Sequence, residues 1–217
     1  MKKYLIFLLI VFLCGCSVVN IVDEDFITNY LSLKYGEDIT FTPMYTSSCK
    51  IYEAGTCRAS FTSSITGENE IHIIWNEKDG SDLRDDFLFL KYDKELKDYY
   101  KKVINNDIDG KFTISEISNK SDYKWEKNLS FDEFIKYENL NTGIAINIAN
   151  EDADLNVIAD NIKKTLIENK NTNVASLYLT SFNNSCNLDD VSSCEKKNSI
   201  YFEVKIVEFY DENAKKS

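Results

Sequence analysis

The sequence has few of the residues that mark linkers or build catalytic sites. Its 217 residues include one proline, seven glycines and a single histidine, His72. No segment is rich in proline or glycine, so composition alone does not divide the chain. Nucleophilic schemes of the Ser-His-Asp or Cys-His kind would have to use His72. The sequence also lacks GxSxG, HExxH, P-loop and GxGxxG motifs, and we therefore predict no enzyme of a motif-defined class.

Basic residues are also scarce. The chain has 25 Lys and Arg against 36 Asp and Glu, a net charge of −11, and a sequence pI of about 4.7. Binding to nucleic acid needs a basic surface, so we expect no nucleic-acid partner. Anionic lipid headgroups would repel such a chain, and any attachment to a membrane therefore needs an anchor other than surface charge.

No apolar run is long enough to span a bilayer. Residues 4–13 form an apolar stretch of about ten residues, whereas a membrane helix needs about twenty. Lys2 and Lys3 precede this stretch. A short basic region followed by a short apolar region is typical of a secretory signal peptide.

The apolar stretch ends in Leu13-Cys14-Gly15-Cys16. This tetrapeptide resembles the lipobox of bacterial lipoproteins. The resemblance implies that residues 1–15 are a signal peptide and that Cys16 is the lipidated, palmitate-bearing first residue of the mature chain. Two or more acyl chains give lasting attachment. The resemblance implies that the protein is held at the extracytoplasmic face of the cell membrane. The alternative is an uncleaved signal anchor with two incidental cysteines.

Residues 16–22 would form a lipidated tether, and residues 23–217 a single α+β globular domain. Two tightly packed halves, 23–118 and 129–210, are the alternative division. Removal of the leader takes away two lysines and leaves a net charge of about −13.

Four cysteines remain in the mature domain, in two pairs of equal spacing: Cys49 with Cys57, and Cys186 with Cys194. Export places them where disulfides form. Of the three possible connectivities, pairing within each nine-residue stretch is the simplest. Each such disulfide would contribute about 2.5 kcal/mol. A four-thiolate zinc site fits poorly because its ligand pairs usually lie closer together, and free thiols are the third alternative.

Apolar periodicity predicts an α+β fold, mainly antiparallel sheet with packed helices and two disulfide-stapled loops between strands. The predicted helices span residues 23–35, 82–105, 130–137 and 154–169. The predicted strands span residues 39–46, 58–65, 70–75, 112–117, 143–149, 174–182 and 199–209.

Residues 105–116 (NNDIDGKFTISE) partly match a calcium-binding EF-hand loop. Asn105, Asp107, Asp109 and Glu116 are the candidate ligands, because calcium prefers oxygen donors at these positions. Position one is an asparagine, and no amphipathic helix follows the loop. The pattern therefore favours a helix end, an Asp-Gly turn and an ordinary strand, with calcium binding as the alternative.

His72 alternates with Ile71 and Ile73 and would share a strand face with Glu70. A lone strand histidine is predicted to be a surface or packing residue, not a catalyst. We expect a binding or interaction module that holds a protein partner or ligand at the cell surface, without a cofactor. The alternatives are a carboxylate-based hydrolase of the cell envelope and a calcium-responsive surface module.

Overall fold

The computed structural model describes residues 22–36, 38–48, 55–77, 80–119, 125, 127–137, 140–171 and 173–204. These residues form two four-stranded sheets with helices, which confirms the predicted α+β class. Five of the six described strand pairs are antiparallel. No helix in this part of the chain is both long and apolar enough to cross a membrane.

The chain divides into two compact units. The first contains the described residues up to Phe87 together with Trp125–Asn128, and the second contains the remaining described residues from Leu88 onward. Each unit contains one of the two sheets.

The first unit is one helix and a four-stranded meander. Helix α1 begins after Asp23, whose side chain accepts the Phe26 N–H at 2.8 Å and so satisfies an otherwise unpaired donor. The strands follow one another in the sheet in the order β1-β2-β3-β4. The bounds are α1 Glu24–Tyr35, β1 Phe41–Ser48, β2 Thr56–Ser63, β3 Gly67–Asn76 and β4 Arg84–Asp85.

One face of this sheet is buried and the other is more exposed. In β3, Ile71, Ile73 and Trp75 are buried, and they alternate with half-buried residues that include His72. This period of two is the burial pattern of a strand with one face on a core. The largest fully buried side chains of this unit are Trp125, Phe61, Phe87, Ile27, Leu31, Ile71 and Ile73.

A buried ion pair lies in the core of the first unit. Lys34 Nζ donates to Asp85 Oδ2 at 2.8 Å, and the two side chains are only 4% and 0% exposed. The Phe87 N–H also donates to Asp85, at 3.1 Å to Oδ1. A buried carboxylate of this kind is tolerated only when it is paired and fully hydrogen-bonded.

Two tyrosines also contact Asp85, and a tryptophan bonds one of these tyrosines. The Tyr35 hydroxyl donates to Asp85 Oδ1 at 2.5 Å and accepts the Trp125 indole N–H at 2.7 Å. The Tyr30 hydroxyl approaches Asp85 Oδ2 at 3.4 Å. Burial, and then the negative charge of Asp85, raise the pKa of both tyrosines well above the ordinary value.

The second unit combines helices with the sheet order β5-β6-β7-β8. Strands β6 and β7 are parallel and are joined by the helix α5, the crossover that a parallel pair requires. Asp154 caps α5 by accepting the N–H groups of Asn156 and Val157. The bounds are α2 Phe87–Lys91, α3 Asp93–Ile104, β5 Lys111–Asn119, α4 Phe131–Phe134, β6 Thr142–Ala149, α5 Leu155–Glu168, β7 Val174–Phe182, a 3₁₀ turn Val191–Ser193 and β8 Lys196–Glu203.

The helix predicted over residues 82–105 is wrong in its first part. Residues Arg84–Asp85 instead form β4, which pairs with β3, and the helix begins only at Phe87. Asp82 has a positive φ of 57°, which an α-helix does not accept, so the helix cannot begin at this residue. The helical stretch is also interrupted at Tyr92, between α2 and α3.

The second cysteine pair is bonded as predicted. Cys186 and Cys194 form a disulfide with their Cα atoms 5.3 Å apart, in the connection between the antiparallel strands β7 and β8. The predicted strand at residues 199–209 is β8, which begins earlier, at Lys196; positions 205–209 lie outside the described residues.

Replacing both Cys186 and Cys194 with serine should lower the free energy of unfolding of the second unit by about 2.5 kcal/mol, because the denatured chain regains the entropy of the opened loop. Circular dichroism during urea denaturation measures the loss. Both tryptophans of the chain, Trp75 and Trp125, belong to the first unit. Their fluorescence transition should stay in place, and a shift there as large as in the circular dichroism would contradict a local effect.

Candidate functional site

The structure leaves two of the predicted cysteine sites untested. Cys16 and Cys49 lie outside the described residues. Cys57 is buried in β2 and is disulfide-bonded. The lipid anchor therefore remains a prediction from the sequence.

The four calcium candidates lie on different structural elements. Asn105 follows the last residue of α3, and Glu116 lies within β5 next to a register shift. Asp107 Oδ1 accepts a hydrogen bond from the Thr165 hydroxyl at 2.9 Å, and Asp109 is exposed. Among the described residues, no three His, Cys, Asp or Glu side chains are grouped so as to hold a metal ion. Calcium binding by this segment stays a prediction.

The sheet of the second unit has two unlike faces. Helix α3 contacts β5, and α5 contacts β7 and β8. One face is lined by buried apolar residues of three strands, and the opposite face carries smaller and more polar residues. The buried set is Phe112, Ile114, Ile117, Ile144, Ile146, Ile148, Leu177 and Leu179.

A shallow groove of about 240 Å³ lies on the more polar face, and we call it the tyrosine groove. Ala145 of β6 is directly opposite Tyr178 of β7, which in turn is opposite Tyr201 of β8. The two tyrosines are 43% and 56% exposed. The lining residues that belong to this face are Glu116, Ser118, Gly143, Ala145, Ser176, Tyr178 and Tyr201.

The residues that line the groove are of types that can bind another molecule. Small residues, Gly143, Ala145 and Ser176, line it and leave room for an approaching group, while the tyrosines offer aromatic faces and hydroxyls. Exposed tyrosines bury much apolar area with few rotatable bonds and are enriched at binding sites. A hydrogen bond with Ser199, and then the charge of Lys196, lower the pKa of the Tyr178 hydroxyl.

A second polar cluster lies on the first unit, around His72. Its Nδ1 atom is 2.8 Å from Asp86 Oδ2, and its backbone N–H donates to Asp86 Oδ1, also at 2.8 Å. The Nε2 atom is 3.8 Å from Glu70 Oε2, as the shared strand face predicts. The sequence shows the neighbour Glu70, but not Asp86, because the apolar period of residues 82–105 predicts one helix.

Tyr178 and Tyr201 were not singled out from the sequence. Their signal is the alternation in the two strands, where Tyr178 shares its face with Ser176 and Thr180, and Tyr201 shares its face with Ser199. That pattern shows which residues lie together, but not which face of the sheet the helices cover.

We compared the chain with known protein families, curated proteins and solved structures. The chain matches no protein-family model, no curated protein and no solved structure.

Proposed function

We propose that this chain is a lipoprotein on the extracytoplasmic face of the cell membrane, anchored through Cys16, and that it binds a partner through the tyrosine groove. The anchor is supported by the lipobox-like sequence at residues 13–16. The binding role is supported by one observation above all: Tyr178 and Tyr201 stand exposed and opposite each other on a sheet face lined with small residues.

The groove fits a binding module better than the hydrolase alternative. Glycosidase-type chemistry needs two carboxyl groups that converge on one cleft. The lining of the groove contains one acidic residue, Glu116. Aromatic rings, hydroxyls and a single carboxylate can bind a partner by stacking and by hydrogen bonding.

The anchor is tested by Cys16→Ala. We expect the variant to retain its leader, to incorporate no radiolabelled palmitate and to lose the shift in mass that lipidation gives. Cys14→Ala is the matched control, because it removes a neighbouring thiol and should be processed and labelled like the parent chain. Normal processing and labelling of Cys16→Ala would rule out Cys16 as the lipid site.

The groove is tested by photocrosslinking in the cells that make the protein. A photoreactive residue in place of Tyr201 should yield one discrete crosslinked species. The same residue in place of Val157, which is 53% exposed on α5, serves as the control and should not. Replacing Tyr178 with alanine should then weaken the crosslink at position 201 by about tenfold or more, as truncation of an aromatic anchor does. Equal crosslinking at both positions would contradict a binding role for the groove.

A further inference from the structure

His72 is held in one orientation by a single carboxylate. Asp86 accepts hydrogen bonds from both the backbone N–H and the ring Nδ1 of His72, each at 2.8 Å, and the Asp86 side chain is only 11% exposed. The Asp86 N–H in turn donates to the His72 carbonyl at 3.3 Å. Three contacts between the same two residues therefore fix the imidazole on the sheet.

This clamp also determines which ring nitrogen is available. A carboxylate accepts hydrogen bonds, so in the neutral ring the proton lies on Nδ1 and the lone pair lies on Nε2. The Nε2 atom faces Glu70 Oε2 across 3.8 Å, and the side chains of His72 and Glu70 are 31% and 38% exposed. A nitrogen lone pair and a carboxylate, both on partly exposed side chains, thus face one small volume.

We propose that Glu70 and His72 bind a divalent transition-metal ion of zinc type, with Asp86 as the outer carboxylate that orients the histidine. Histidines that bind metals almost always donate their other ring N–H to a carboxylate or carbonyl. Zinc lies about 2.0–2.2 Å from nitrogen and carboxylate oxygen, so two ligand atoms of a tetrahedral ion are about 3.3 Å apart. The observed 3.8 Å needs only a small rotation of the exposed Glu70 side chain.

The ligand types select the class of ion. An imidazole nitrogen beside a carboxylate suits zinc, copper or nickel, whereas calcium and magnesium prefer oxygen ligands alone. Two protein ligands leave the other coordination positions to water. Ser60 is the cross-strand neighbour of His72. The backbone groups of His72 bond Asp86, on the β4 side, so Ser60 and His72 form a non-hydrogen-bonded pair, in which the two side chains lie close together.

Because His72 is the only histidine in the chain, its ring can be observed without ambiguity. The experiment labels histidine with ¹⁵N in the full-length chain in detergent and titrates zinc sulfate. Before zinc is added, the ring nitrogens should report the tautomer with the proton on Nδ1. Zinc should then shift the Nε2 resonance in a saturable manner with one ion per chain, while magnesium at the same concentration should not.

Three variants separate a built site from adsorption of zinc to an acidic surface. His72→Ala should abolish the one-to-one binding, Glu70→Gln should weaken it at least tenfold, and Asp86→Asn should weaken it by about 10–100-fold. Glu168→Gln, which changes an acid that is 63% exposed on α5 of the other unit, should leave the affinity unchanged. Fluorescence of Trp75 and Trp125 reports whether each variant has kept the fold of the first unit.

The site is overturned if the Nε2 resonance stays in place at 1 mM zinc, or if His72→Ala binds zinc as tightly as the parent. Glu70→Gln keeps the test valid even if Asp86→Asn does not fold, since Glu70 is partly exposed and has no part in the core. The proposed role of the tyrosine groove does not depend on either result.

Discussion

Replacing Asp85 with alanine should lower the free energy of unfolding of the first unit by about 3–5 kcal/mol, which is a large part of the roughly 5–15 kcal/mol that is typical of a folded protein. The variant leaves the Lys34 ammonium buried without its counter-charge and removes the acceptor of the Tyr35 hydroxyl and the Phe87 N–H. Urea denaturation followed by tryptophan fluorescence measures the effect, because both tryptophans lie in this unit.

Two further variants test whether the loss of stability in Asp85→Ala comes from breaking the buried ion pair or would follow the removal of any charge. The double variant Lys34→Met with Asp85→Asn removes both buried charges and keeps an oxygen at position 85, so it should be less destabilising than Asp85→Ala alone. Asp82→Asn removes one charge of the pair between Asp82 and Arg84 at the surface of the same unit and should change stability by no more than about 0.5 kcal/mol. A loss in Asp85→Ala as small as in Asp82→Asn would contradict a structural role for the buried pair.

Alkaline pH should weaken the same unit through Tyr35. In the unfolded chain a tyrosine loses its proton near pH 10, whereas in the folded unit burial and then Asp85 hold the Tyr35 pKa well above that value. The folded state therefore retains a proton that the unfolded state releases. The contribution of Tyr35 to the free energy of unfolding is fully present below pH 10. Above pH 10 the free energy of unfolding falls by about 1.4 kcal/mol per pH unit.

The measurement is the free energy of unfolding at several values between pH 9 and pH 11.5, again by tryptophan fluorescence. Tyr30 has the same direction of shift, so Tyr35→Phe should reduce the alkaline slope without abolishing it. The variant is also less stable at neutral pH, since Trp125 loses its acceptor, but that offset does not affect the slope. A slope that is the same in Tyr35→Phe and in the parent would show that Tyr35 is not the titrating group.

The candidate sites were only partly visible in the sequence. Alternation along β3 predicted that His72 and Glu70 share a face, and the 3.8 Å separation of their side chains agrees. Asp86 was missed because residues 82–105 show a helical apolar period, while β4 is only two residues long and forms by pairing with β3. A strand of two residues is too short to show the alternation of apolar and polar residues by which strands are predicted from sequence.

The same limit applies to the tyrosine groove. The sequence shows Tyr178 alternating with Leu177 and Leu179, and the structure buries both leucines. The groove itself needs Ser118, Ala145 and Tyr201 from three other strands, so it exists only after the strands have paired.

The sequence by itself determined the features that depend on nearby residues. These are the kinds of most elements and the disulfide between Cys186 and Cys194. Their partners lie within a few residues, so local sequence is sufficient.

Tertiary structure alone decided the parallel pairing of β6 with β7, the burial of Asp85 and the clamp on His72. Lys34 and Asp85 are 51 residues apart in sequence, and Tyr35 and Trp125 are 90 apart. Nothing near either partner distinguishes it from other charged or aromatic residues. The desolvation that makes these contacts strong arises only when the distant segments pack together.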